Sequence, residues 1–207
     1  MSVAFASSWR RAWRGIGARS DGDAVLEALL AAWGEPQRRY HTLQHLGECI
    51  ELFEGVGALA PHPAEVEAGL WFHDAVYDVH GSDNEARSAD WLRDAAGADG
   101  VAAEVVDRLC AMIMATRHAA LPTGSDQQLL VDIDLAILGA DAARFAEYER
   151  QIRAEYAFVP EPTFRARRRT VLAGFLDRER IYSTPRLHDE LEPRARANLA
   201  MAIAAHA

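Results

Sequence analysis

The chain has 207 residues, half of them apolar, and a formal charge of −9 at neutral pH. That length suits one domain over 1–207 with a sizeable core, and Arg, Asp, Glu or His interrupts every apolar stretch before it reaches the roughly 18–20 residues of a membrane span. The acidic balance excludes a general nucleic-acid-binding surface, while a local basic pocket for a small phosphorylated ligand stays compatible with it.

Apolar residues recur at helical spacing, as in Leu43, Leu46, Ile50 and Phe53, or Val101, Val105, Leu109, Met112 and Ile113. No run alternates with a period of two, so an all-α, single-domain helical bundle is predicted. The first twenty residues carry Arg10, Arg11, Arg14 and Arg19 with no acid before Asp21, and they lack a signal peptide's continuous apolar core. A short amphipathic first helix is the reading there, mapped as a turn at 7–14. Helices are then predicted near 21–33, 41–54, 64–78, 84–96, 101–116, 127–139, 142–157, 163–178 and 188–206. Turn-forming and helix-breaking residues separate them, from Gly34-Glu-Pro36 through Leu121-Pro-Thr-Gly-Ser125 to Ser183-Thr-Pro185. Cys49 and Cys110 lie within apolar helical patterns without paired ligand spacing, which predicts reduced, buried thiols and a cytoplasmic protein.

The run Gly69-Leu-Trp-Phe-His-Asp-Ala-Val-Tyr77 seats His73 and Asp74 in apolar, helix-compatible surroundings. A carboxylate taken out of water costs several kcal/mol or more unless paired, so a divalent metal is the simplest counterpart. Two further segments offer ligands, His41-Thr-Leu-Gln-His45 and Val131-Asp-Ile-Asp-Leu135. On a helix, His41 and His45 would share one face, and His73 and Asp74 would point about 100° apart and still reach one ion. Asp132 and Asp134 diverge by about 200°, so only one of them can face a given site. Taken singly, each of these residues is more simply a satisfied core group or a helix cap; their combination points to a metal.

In the order H…HD…D the chain resembles the HD-domain superfamily of metal-dependent phosphohydrolases. The resemblance extends over Arg38-Arg-Tyr-His-Thr-Leu-Gln-His-Leu46, Trp71-Phe-His-Asp-Ala-Val-Tyr-Asp78, Asn84-Glu-Ala-Arg-Ser-Ala89, Thr116-Arg-His118, Asp132-Ile-Asp-Leu-Ala-Ile-Leu-Gly139 and Phe175-Leu-Asp-Arg-Glu-Arg-Ile-Tyr-Ser-Thr184. It implies metal ligation by His45, His73, Asp74 and a final aspartate, Asp134 in the setting Ile133-Asp-Leu135, with Asp132 as the alternative. His41 stands where related cyclic-nucleotide phosphodiesterases keep a general-acid His in a His-Asn-x-x-His segment; Thr42 replaces the Asn, and binding phosphate or orienting His45 are the other roles open to His41.

A mixed His and carboxylate set suits Mn²⁺, Fe²⁺, Co²⁺, Ni²⁺, Zn²⁺ or Mg²⁺. The expected reaction is hydrolysis of a phosphoester or pyrophosphate of a small molecule, a nucleotide among the candidates, by metal-activated water. Asp74 or Glu85 could steer that water, although Glu85 also fits a helix cap with Ser82. His118 precedes a Pro-Gly loop, where it either reaches into a cleft or faces solvent at a helix C-terminus. Arg38, Arg87 and the cluster Arg165, Arg167, Arg168 and Arg169 are the basic counterparts for phosphate; most are solvated, with Arg38 and Arg168 the expected substrate contacts. Trp71, Phe72, Tyr77 and Tyr156 read as core. A di-iron HD-type oxygenase using His118, or a non-catalytic metal- or nucleotide-binding module, are the alternatives. No nucleic-acid or membrane partner is expected, and a homodimer is only the default for such a chain.

Overall fold

Val3–Gly15 is the first of ten α-helices in a computed structural model that describes residues 3–206, with side chains from Phe5 onward. The others are α2 (Asp23–Trp33), α3 (Leu43–Val56), α4 (Pro63–Phe72), α5 (Asn84–Ala98), α6 (Ala103–Ala115), α7 (Ser125–Asp134), α8 (Ala142–Glu155), α9 (Glu161–Leu176) and α10 (Pro185–Ala205). No strand occurs among the described residues, so the protein is all-α as its periodicity predicts. None of these helices is long and apolar enough to cross a membrane. Packing divides the chain into two compact units, the first ending at Ile133 and the second beginning at Asp134, the last residue of α7.

In the first unit α4 is buried on every side from Glu65 to Phe72 and packs against α1, α3, α5 and α6. A helix with apolar residues all round can satisfy them only at the centre. Its two carboxylates are matched: Glu67 accepts from Ser8 Oγ at 2.6 Å and Arg11 Nε at 2.8 Å, and Glu65 from Arg108 Nε at 2.8 Å. The N-terminal segment forms the amphipathic first helix expected there, and it extends beyond the turn mapped at 7–14. Trp9 and Trp13, one helical turn apart, are fully buried in α1 and stack at 4.8 Å, and Trp9 meets Trp71 edge-on at 5.5 Å. Its arginines lie on the outer face, where Arg10, Arg11 and Arg14 pair with Asp23, Glu54, Glu67 and Asp21.

The helix expected over 64–78 stops at Phe72, because other groups take its backbone partners. Ala75 N–H turns back to the Phe72 carbonyl at 3.0 Å, Val76 N–H donates to Ser88 Oγ at 3.0 Å, and Arg38 claims the Asp74 and Ala75 carbonyls at 2.6 and 2.9 Å. His73 therefore closes α4 and Asp74 sits in the following turn.

Gly69 lets α7 approach α4, since a Cβ there would collide with the side chain of Leu130, which is itself fully buried. Gly69→Ala is expected to lower stability by about 1–3 kcal/mol, read as an earlier denaturation midpoint at unchanged slope. Gly97→Ala is the control: nothing lies within 4 Å of a Cβ on that exposed residue of α5, and the change should be neutral or stabilising by about 0.5 kcal/mol.

In the second unit the segment expected to continue as helix to residue 139 tightens into a 3₁₀ turn, Leu135–Gly139. Side chains satisfy the carbonyls it leaves open. Tyr182 Oη donates to Leu135 O at 3.0 Å, Arg194 Nε to Gly139 O at 2.9 Å, and Asn198 Nδ2 to both Leu138 O and Ala140 O at 2.9 Å. Gly139 has to be glycine, because a Cβ would stand 2.8 Å from Leu191 Cβ. Two of these three donors, Arg194 and Asn198, belong to α10, so that helix fixes the backbone that follows Asp134 directly.

Candidate metal centre

His45 projects from the first turn of α3, His73 and Asp74 from the end of α4 and the turn after it, and Asp134 from the last position of α7. One donor atom from each lies within 4.8 Å of all the others. His45 Nε2 and His73 Nε2 are 3.2 Å apart, and His73 Nε2 and Asp74 Oδ2 are also 3.2 Å apart. That is the separation two ligands keep on one ion when their bonds are about 2.1 Å and meet at a near-right angle. The histidines are buried, at 2% and 1% exposure, while the carboxylates are half-buried, so the set combines a dry floor with a side that solvent reaches. The residues fit a divalent cation.

Outer contacts aim the ligands. His73 Nδ1 donates to the Leu70 carbonyl at 2.8 Å, which leaves the lone pair on Nε2. His45 Nδ1 lies 3.1 Å from Tyr40 Oη. Trp33 forms a wall 5.4 Å from the His73 ring and donates its Nε1–H to the Trp71 carbonyl at 3.0 Å. Arg38, with no exposed side-chain surface, donates to the carbonyls of His41 (3.3 Å), Asp74 (2.6 Å) and Ala75 (2.9 Å) and to Glu35 (3.0 Å). The guanidinium expected to meet phosphate thus clamps the loop before α3 to the turn that carries Asp74.

His41 departs from its expected place on a helix shared with His45. Thr42 caps α3, its hydroxyl accepting from Gln44 N at 3.3 Å, so His41 lies outside the helix. Its ring stacks on Tyr77 at 4.0 Å and meets Tyr40 edge-on at 4.8 Å, and its Nε2 is 4.0 Å from Asp74 Oδ2. Asp132 is fully buried on α7 but is not one of the four convergent residues. Glu85 sits half-buried in the first turn of α5, whose N-cap is Asp83 without a side-chain cap bond, so the box with Ser82 does not form. Asn84 instead grips the loop, accepting from Asp78 N at 3.1 Å and donating to Asp78 O at 2.9 Å. His118 takes a left-handed backbone, φ 54°, after α6 and is not in the convergent group.

The residues after Asp74, Ala75 to Asp78, line a cleft of about 740 Å³ together with Glu35, Arg87 and Trp91. In the second unit Arg168 is the one member of its cluster that faces inward: it pairs with Glu149 and lies over the Tyr148 ring at 4.9 Å, whereas Arg165, Arg167 and Arg169 are exposed. Burial pushes the Tyr148 hydroxyl above its usual range, with Arg168 opposing and Glu149 and Asp134 adding to the shift. Burial works against the charge on Arg168, yet Tyr148 and Glu149 hold its pKa above the ordinary value.

Fold and site together define an all-α protein with a His/Asp cluster able to hold a metal ion, an arrangement compatible with an HD-domain fold. No protein-family model, curated protein or solved structure matches the chain.

Proposed function

We propose that the chain is a metal-dependent phosphohydrolase of the HD-domain type, cleaving a phosphoester or pyrophosphate of a small molecule such as a nucleotide. The observation that carries this reading is the convergence of His45, His73, Asp74 and Asp134 in the chain order H…HD…D. A divalent ion held by these four would supply Lewis acidity toward a phosphoryl oxygen and lower the pKa of water. The chain's own groups do the rest. Asp74 and His41, each with roughly a sixth of its side chain exposed, can meet a substrate oxygen. Tyr77 and Tyr40 fix the His41 imidazole so that Nε2 can deliver a proton to a leaving oxygen.

The test is hydrolysis of a panel of nucleotides, phosphomonoesters, phosphodiesters and pyrophosphates with added Mn²⁺, Co²⁺ or Mg²⁺. Turnover that disappears in His73→Ala is expected; bound metal with no turnover across the panel would sink the proposal. His41→Ala is expected to lower kcat about 10²–10⁴-fold while metal content stays at the wild-type level, which separates proton delivery from ligation.

A further inference from the structure

We infer that Tyr40 is a positioning residue that holds His45 Nδ1 in either tautomer, its hydroxyl acting as donor or acceptor according to whether an ion is bound. The inference rests on reading the four-residue cluster as a metal centre. Three contacts run in series: Tyr40 Oη to His45 Nδ1 at 3.1 Å, His45 Nε2 to His73 Nε2 at 3.2 Å, and His73 Nδ1 to Leu70 O at 2.8 Å. The last contact fixes the others, because a carbonyl can only accept and His73 must therefore carry its proton on Nδ1. Without an ion, His45 donates from Nε2 to His73 and Tyr40 donates to His45 Nδ1.

To ligate through Nε2, His45 must carry its one ring proton on Nδ1 instead. No proton is gained or lost by the ring; it moves from Nε2 to Nδ1, and the Tyr40 hydroxyl rotates to accept. A phenol can do both, whereas a carbonyl or an ammonium could serve only one of the two arrangements. Tyr40 is 4% exposed, so water does not readily replace it. Its main chain is held by Thr42 N–H at 2.7 Å, from the residue that caps the helix bearing His45. Cys49 is no substitute: its sulfur lies 3.7 Å from Nδ1 and 3.8 Å from Nε2, nearly equidistant, so it cannot lie along the N–H axis of either.

Tyr40→Phe keeps the ring and removes the hydroxyl. In competition with a chelator, Zn²⁺ and Mn²⁺ should bind the variant about 10–100-fold more weakly than wild type, at unchanged stoichiometry and with unchanged circular dichroism. Cys49→Ala should leave both affinities within twofold. Imidazole-region ¹⁵N spectra of the Zn²⁺-loaded wild type should show the His45 proton on Nδ1, slow to exchange, a reading that does not depend on any variant folding. A His45 proton on Nε2 in the Zn²⁺-loaded protein removes that nitrogen from the ligand set and overturns the role of Tyr40 together with ligation by His45, whereas equal affinity in Tyr40→Phe overturns the role of Tyr40 and leaves the metal centre standing. A wild-type chain that binds none of Mn²⁺, Co²⁺, Fe²⁺ or Zn²⁺ overturns both.

Discussion

Replacing Asp74 with alanine is expected to strip the protein of divalent metal without unfolding it. The two consequences separate because the side chain and the main chain of Asp74 serve different ends. Its carboxylate faces His73 Nε2 at 3.2 Å and is one of the four convergent donors, whereas its carbonyl is held by Arg38 at 2.6 Å whatever side chain follows. Asp74 also lies in a turn after α4, so alanine there opens no cavity in the helix core. Loss of a direct ligand should exceed the roughly 10–100-fold typical of an outer partner, enough to remove metal through purification. The measurement is metal per chain by mass spectrometry after reconstitution with Mn²⁺, Fe²⁺ or Zn²⁺, beside circular dichroism. Near-stoichiometric metal in wild type and under a tenth of that in the variant is the expected result. Linkage gives a second reading: an ion at 100 times its Kd stabilises the fold by about 2.7 kcal/mol, so a chelator should lower the wild-type midpoint and leave the variant's unmoved. Metal retained in full by the variant would place the binding site elsewhere.

The sequence exposes the parts of this centre that follow from composition and periodicity. His73 and Asp74 stand out because they interrupt an apolar run, and the opposed directions of Asp132 and Asp134 on one helix follow from its pitch alone. What it hides depends on tertiary hydrogen bonds. Nothing between Phe72 and Tyr77 announces the end of α4, since Ala75 and Val76 continue the apolar pattern; the helix stops because Arg38 and Ser88 take its backbone groups. A bond from Arg38 to Ala75 has no periodic signature. Tyr40 escapes for the same reason: it lies two residues before the Thr42 N-cap, outside the periodic pattern of α3. The amphipathic first helix is legible too, whereas its full length and the burial of Trp9 and Trp13 depend on packing against α4.

Arg38→Ala is expected to cost on the order of 3–5 kcal/mol, the largest stability loss of any single change at the site. Three backbone carbonyls and Glu35 share this one guanidinium, which has no exposed side-chain surface and lies over the rings of Trp33 at 5.5 Å and Tyr77 at 5.7 Å. Alanine leaves those acceptors dry or lets water into the wall of the centre, and either outcome frees the turn that carries Asp74. Arg38→Lys should recover less than half of the loss, because an ammonium cannot span carbonyls that a planar fork reaches together. Arg11→Ala is the matched comparison. It leaves the buried Glu67 carboxylate with Ser8 Oγ but without its cation and should cost about 2–3 kcal/mol, below the fully dry case because Arg11 is 47% exposed, but it acts through α1 and not through the turn. Denaturant midpoints at constant slope measure the stabilities, and chelator competition measures the metal. Arg38→Ala should weaken metal binding as well as the fold, whereas Arg11→Ala should weaken the fold alone. Equal effects of the two on metal affinity would show that the clamp supports the fold generally and does not aim Asp74.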